Sequence, residues 1–218
     1  MKKEKHVRAA VYLLSAFATW TTLVCLVDVR PIGPQGSHVG FAAFNKYVHE
    51  LTGVHMLLYD ITDWLGFVPI GIAAGFAVLG FTQWCKRKHL LQVDRDLFIL
   101  GGFYIVVIAV FVFFEIFVMN YRPVLIEGKL EASYPSSTTI LALCILPTSM
   151  HQVRIRIKNR LWKKLVLIVL RAFTVFMVIG RFVSGVHWAS DIVGGILLSA
   201  GLVKLYLAAN QSTSNFRK

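Results

Sequence analysis

The strongest constraint on this chain is a succession of apolar runs, each about as long as a bilayer is thick, separated by short basic or polar segments. A helix needs about 20 apolar residues, at about 1.5 Å each, to cross the hydrocarbon core. Runs of this kind fall at 7–27, 64–84, 97–119, 165–183 and 191–209, and a shorter one at 139–150 recruits its flanks. Lipid offers no partner to a backbone N–H or C=O, so such runs must be helical. Apolar residues make up 56% of the chain, above the roughly 45–50% of soluble domains. Little sequence remains for a second domain. The expectation is all-α: a single membrane domain over 1–218, built as an integral membrane six-helix bundle. Between spans one and two, Pro31, Gly33, Pro34 and Gly36 break the chain, and 39–51 has the spacing of a short interfacial helix.

The net charge of +12 raises nucleic acid as a partner, but the distribution argues against it. Of the 23 lysines and arginines, 16 lie in four segments, 2–8, 86–95, 154–164 and 217–218. These alternate with the apolar runs instead of forming one basic face, which is the positive-inside pattern of a multi-pass protein. All four fall on the same side of a six-span chain, so both termini are expected in the cytoplasm, with the protein in the cell membrane. The first run follows a basic flank and lacks a small-residue cleavage site, so it reads as a retained helix. Cys25, Cys85 and Cys144 lie in or beside spans without metal-ligand spacing and read as small apolar residues. No metal or cofactor is expected.

The opposite, outer side carries five cations against eight acids. Anion binding there requires specific arginines. The loop before the last span reads GRFVSGVHWASD. His187 and Asp191, four apart, project from one helix face, and a carboxylate one turn away can fix an imidazole's tautomer. Arg181 offers a forked donor to phosphate. Arg122-Pro123 follows span three, one helical repeat beyond Glu115. Tyr134-Pro-Ser-Ser-Thr-Thr139 opens span four with hydroxyls and free amides, a ready anion site. Each piece alone also fits a plain structural role: an interfacial polar pair, a membrane anchor, a capped helix.

In order and spacing the three pieces resemble the motifs of the type 2 phosphatidic acid phosphatase superfamily, K-x6-R-P, P-S-G-H and S-R-x5-H-x3-D. Arg122 and Pro123 match the first, Pro135 and Ser136 the second, and Arg181, His187 and Asp191 the third, over about 97–209. The resemblance implies a membrane lipid phosphate or diphosphate hydrolase acting at the outer face, without cofactor, through a phosphohistidine. His187 would be the nucleophile and Asp191 its orienting partner, with Arg122, Arg181, Ser136 and Ser137 holding phosphate. The expected partners are a membrane lipid phosphate and the bilayer, not nucleic acid.

Three positions depart from the pattern. Glu115 stands in place of a phosphate-binding lysine, Gly180 in place of a serine, and Thr138 in place of the histidine that protonates the leaving group. Glu115 and Tyr134 are the first candidates for a replacement acid, with Thr138 itself unable to serve at neutral pH. The missing acid implies a preference for polyprenyl diphosphates. It also leaves open a lipid phosphotransferase, or a non-catalytic lipid-phosphate binder or transporter on the same scaffold.

Overall fold

The computed structural model describes residues 2–214, in which eight α-helices carry the fold: α1 (Lys2–Leu26), α2 (Ala42–Thr52), α3 (Met56–Leu65), α4 (Phe67–Arg87), α5 (Arg95–Ile116), α6 (Ser137–Arg156), α7 (Arg160–Val183) and α8 (Ala189–Ser214). Five stretches among the described residues are long and apolar enough to cross a membrane: Lys2–Leu26, Met56–Arg87, Arg95–Ile116, Arg160–Val183 and Ala189–Gln211. Large apolar side chains such as Val78, Ile105, Val169 and Val175 stay more than half exposed on α4, α5 and α7. A surface of that kind requires lipid against it. The chain is a multi-pass membrane protein.

The expected boundaries shift for physical reasons. Span two starts eight residues early because α3 precedes it, and α3 carries Asp63, read from sequence as loop, on a helix packed against α7. The span expected at 139–150 lengthens to α6, whose 20 residues make about 30 Å of helix. Its composition is too polar to count among the five apolar crossings. It is instead sheathed by protein, with Ala142, Cys144, Leu146, Thr148 and Gln152 fully buried. The Arg217–Lys218 cluster lies outside the described residues.

α8 is the axis of the bundle, with half of its spanning window buried. α1 runs against it so closely that a side chain at Gly201 would strike Leu14 at 2.7 Å. Leu100, Val107, Ile140, Leu198 and Tyr206 join α5, α6 and α8 in the main core.

One end of the bundle gathers the basic segments, and there Asp94 is held by Arg87 Nη1 and Arg156 Nη1, each at 3.1 Å, while Arg156 Nη2 reaches Asp96 at 2.6 Å. Hydrogen bonding from Gln83, then from Arg156 and Arg87, holds the Asp94 carboxyl below its usual range. The same arginine reaches Gln152, which in turn donates to Tyr206. This network explains why α6 continues past its apolar run: the polar residues of its last turns find partners inside the bundle.

Candidate active site

The residues singled out in the sequence meet at the other end of the bundle. A hairpin between α5 and α6 supplies two of the groups there. It turns at Glu127 and Gly128, whose φ values of 48° and 76° suit the tight turn that follows the twist of two strands. Backbone bridges pair Ile126 with Lys129 and Tyr121 with Ala132. Arg122 and Glu131 thereby become cross-strand neighbours, and the Arg122 amide donates to the Glu131 carbonyl. Glu131 was not a sequence candidate, yet its Oε2 lies 3.2 Å from Arg122 Nε. That N–H is not aligned for a hydrogen bond, and neither Nε nor Nη1 of the buried Arg122 has a hydrogen-bond partner.

His187 sits in the short link between α7 and α8. Gly185, at φ 70°, lets the link press onto the backbone at Gly53, where a Cβ would come within 1.9 Å of the carbonyl. The buried ring has Nδ1 3.0 Å from Ser133 Oγ and 3.2 Å from the Ser133 carbonyl oxygen. Ser133 donates its single hydroxyl hydrogen to Asp191 Oδ2 at 2.5 Å. Both oxygens beside Nδ1 are therefore acceptors, and Nδ1 must carry the ring hydrogen. Nε2 is left as a bare lone pair, buried and without a partner. Burial, then the positive charges of Arg122 and Arg181, push the basicity of His187 well below its ordinary value, against a weaker opposing pull from the Ser133 carbonyl. The neutral imidazole a nucleophile requires is the form this setting favours.

Asp191, four residues on, lies fully buried in the first turn of α8. Its Oδ2 also accepts from the Trp188 amide at 3.0 Å, the reach-back of a helix-capping carboxylate. Its Oδ1 accepts from Asn120 Nδ2 at 3.2 Å and Ser190 Oγ at 3.3 Å. The direct His187–Asp191 pair expected from the spacing is not a hydrogen bond: Nδ1 and Oδ2 stand 3.9 Å apart. Ser133 fills the gap.

Arg181, 1% exposed at the end of α7, donates through Nη2 to Asp63 at 3.0 Å and through Nη1 to Thr62 Oγ1 at 3.3 Å. Its Nε has no partner. Thr62 also accounts for Gly180: a Cβ there would lie 2.8 Å from the Thr62 methyl, so the threonine occupies the space beside Arg181. Both guanidinium groups lie over the ring of Tyr59, Arg181 at 4.6 Å and Arg122 at 5.7 Å from its centroid. Attraction of each cation to the ring face offsets part of their mutual repulsion. Tyr59, Thr62 and Asp63 escaped the sequence reading because an arginine's aromatic and acidic neighbours leave no fixed spacing in the chain.

Two buried arginines with unpartnered N–H groups act electrostatically on a histidine whose Nε2 has no partner, an arrangement that could receive an anion beside a nucleophile. The profile of the PAP2 superfamily matches residues 113–214, the stretch that holds all three pieces. By that match, residues 113–214 form a PAP2-superfamily region. Over 94% of this chain and 96% of the other, the fold aligns at a TM-score of 0.55 and 18% sequence identity with the crystal structure of the first transmembrane PAP2 type phosphatidylglycerolphosphate phosphatase from Bacillus subtilis. No curated protein matches the sequence.

The second motif is only partly turned to these residues. The Ser136 amide donates to the Asp191 carbonyl at 3.2 Å, and its hydroxyl accepts from Thr139. The amides of Ser137 and Thr138 follow in the first turn of α6, where no intrahelical acceptor exists. Tyr134 is directed elsewhere: its hydroxyl meets Thr21 Oγ1 at 2.7 Å and its ring stacks on Phe17. Burial raises the pKa of its phenol, so it is a poorer acid than a free tyrosine. Glu115 is exposed on α5 and pairs with neither site arginine, whose carboxylate partners are Glu131 and Asp63. It lines a space of about 10 Å³ with Ser133 and Ser137.

Proposed function

We propose that this protein is a lipid phosphatase that transfers the phosphoryl group of a lipid phosphate or diphosphate to His187 and then to water. The observation that carries the reading is the bare His187 Nε2 in the field of two arginines with unfilled hydrogen-bonding capacity. Nε2 attacks phosphorus, the bond to the lipid-side oxygen breaks, and that oxygen leaves with the electron pair. Arg122 and Arg181 stabilise charge on the phosphoryl oxygens, joined by the free amides of Ser137 and Thr138. Water then displaces the histidine. Phosphate release from a panel of lipid monophosphates and diphosphates in detergent tests the reading; release from none of them would overturn it.

An apolar path suits a lipid substrate. Between α4 and α5 lies a cleft of about 390 Å³ that includes Gly80, Trp84 and Gly101. It shares Ala73 and Tyr104 with a second space of about 280 Å³, which reaches Phe111. Phe111 also borders the small space at Ser133 and Ser137. From Leu97 to Phe111 the rise along α5 is about 21 Å, enough to lay a long hydrocarbon tail beside the helix with its head at the site.

The reading takes α6 as a protein-sheathed sixth crossing, α2 as an interfacial helix and the motif end as the outer face, because the basic segments gather at the opposite end. α2 supports this with an exposed stripe of Phe44, Tyr47 and Leu51. An epitope at the exposed hairpin tip Gly128 is expected to be labelled in intact cells and one at Lys158 only after permeabilisation. Labelling of Lys158 from outside would reverse the orientation.

The depressed basicity of His187 has a definite sign. Its nucleophile is lost on protonation, so the loss is expected only as pH falls below the ordinary histidine value of about 6.5. Titration of the His187 ring by NMR in the substrate-free protein checks this apart from any ionisation of the substrate. A midpoint at or above that value contradicts it.

A further inference from the structure

We infer that Ser133 is a positioning residue that couples Asp191 to His187, so that the working unit is Asp191–Ser133–His187 rather than a histidine–aspartate pair. The inference rests on the phosphatase reading for its catalytic meaning and on geometry for its existence. The carboxylate is 3.9 Å from Nδ1, too far for a hydrogen bond, while Ser133 Oγ is 2.5 Å from the carboxylate and 3.0 Å from Nδ1. All three side chains are buried, where a polar chain is electrostatically strong and water does not compete.

The direction of the chain follows from its hydrogen count. Asp191 only accepts, so the serine hydrogen points to it and the serine lone pairs face the Nδ1–H. A hydroxyl whose hydrogen is held by a carboxylate is a more negative acceptor than a free one. When Nε2 bonds to phosphorus, the ring becomes cationic and Nδ1–H more acidic. Ser133 Oγ then meets that charge with the polarisation imposed by Asp191, while the Ser133 carbonyl holds the same hydrogen in place. No proton leaves Nδ1, and the only bonds made and broken are those at phosphorus.

Placement of the serine depends on the hairpin. The Ser133 amide donates to the Asn120 carbonyl at 2.9 Å, and Asn120 in turn donates to Asp191. Asn45 on α2 completes the shell by donating to Ser190 Oγ at 2.9 Å and accepting from the Ser190 amide at 3.1 Å. The serine is thus held from the side of α5 and the carboxylate from the side of α2.

Ser133→Ala deletes the hydroxyl and keeps the carbonyl, so the ring keeps its tautomer and loses its link to Asp191. Phosphorylation of His187 is expected to slow about 10–100-fold with KM changed less than about threefold, a loss at the lower edge of one catalytic group's contribution. Adding Asp191→Asn to Ser133→Ala is expected to cost far less than the same change in the wild type, because the link is already cut. Fully additive losses would overturn the proposal. The Nδ1–H resonance of His187, read by NMR in the full-length protein in detergent, is expected to move upfield in Ser133→Ala. An unmoved resonance in a folded Ser133→Ala protein would overturn the coupling whether or not the protein turns over any lipid. If the wild type acquires no phosphate but the resonance moves, the phosphatase reading fails and the coupling stands.

Discussion

Replacing His187 with alanine is expected to remove phosphate release almost entirely, by about 10⁴-fold or more, since loss of a covalent nucleophile leaves only binding and electrostatic effects. The fold is expected to survive. Among the described residues the ring's hydrogen bonds are with Ser133 alone, and hydrogen bonds of that kind contribute about 0.5–1.5 kcal/mol each. Deleting it also removes a buried polar atom that has no partner. Turnover by purified, monodisperse His187→Ala protein measures this. Near-normal activity would mean that phosphorus is attacked by something other than His187.

The second large effect concerns the leaving group. The first turn of α6 presents Thr138 where the PAP2 pattern has histidine; Tyr134 is bound to Thr21, and Glu115, exposed on α5, pairs with neither Arg122 nor Arg181. A lipid monophosphate must expel an alkoxide, whose conjugate acid has a pKa near water's value of about 15.7. A lipid diphosphate expels a phosphate monoester, with a second pKa of about 6. That group leaves as an anion, and a nearby guanidinium is help enough. The absent acid is therefore expected to cost about 10²–10⁴-fold on monophosphates and little on diphosphates. Polyprenyl-diphosphate-type lipids fit this preference. Thr138→His is expected to raise monophosphate hydrolysis more than diphosphate hydrolysis, as measured by kcat/KM on a matched pair with the same tail. Equal rates on the two substrates in the native protein would mean that another acid serves the site.

Much of this architecture was legible in the chain, and what was missed shares a cause. Apolar runs marked the five lipid-facing helices because each carries its own burial signal. α6 was drawn too short because it is buried by protein, and its Gln152 and Arg156 are satisfied by residues far away in sequence. Arg122, Arg181, His187 and Asp191 stood out because they keep fixed spacings along single helices and links. Ser133 lies 54 residues from His187, and Tyr59 and Asp63 more than 100 from Arg181. Those meetings are made by the packing of α3 on α7 and by the hairpin register. The spacing of His187 and Asp191 suggested direct contact, yet the cap at Trp188 draws the carboxylate back to its own helix start. One more side chain is needed to bridge the difference.

The most direct test is to incubate the protein with a lipid diphosphate carrying labelled terminal phosphate, quench in base, and map the label. The account predicts an acid-labile, base-stable phosphoryl group on His187 that is absent from His187→Ala. A protein that releases phosphate with no label on His187 at any quench time, or with label on another residue, would contradict it.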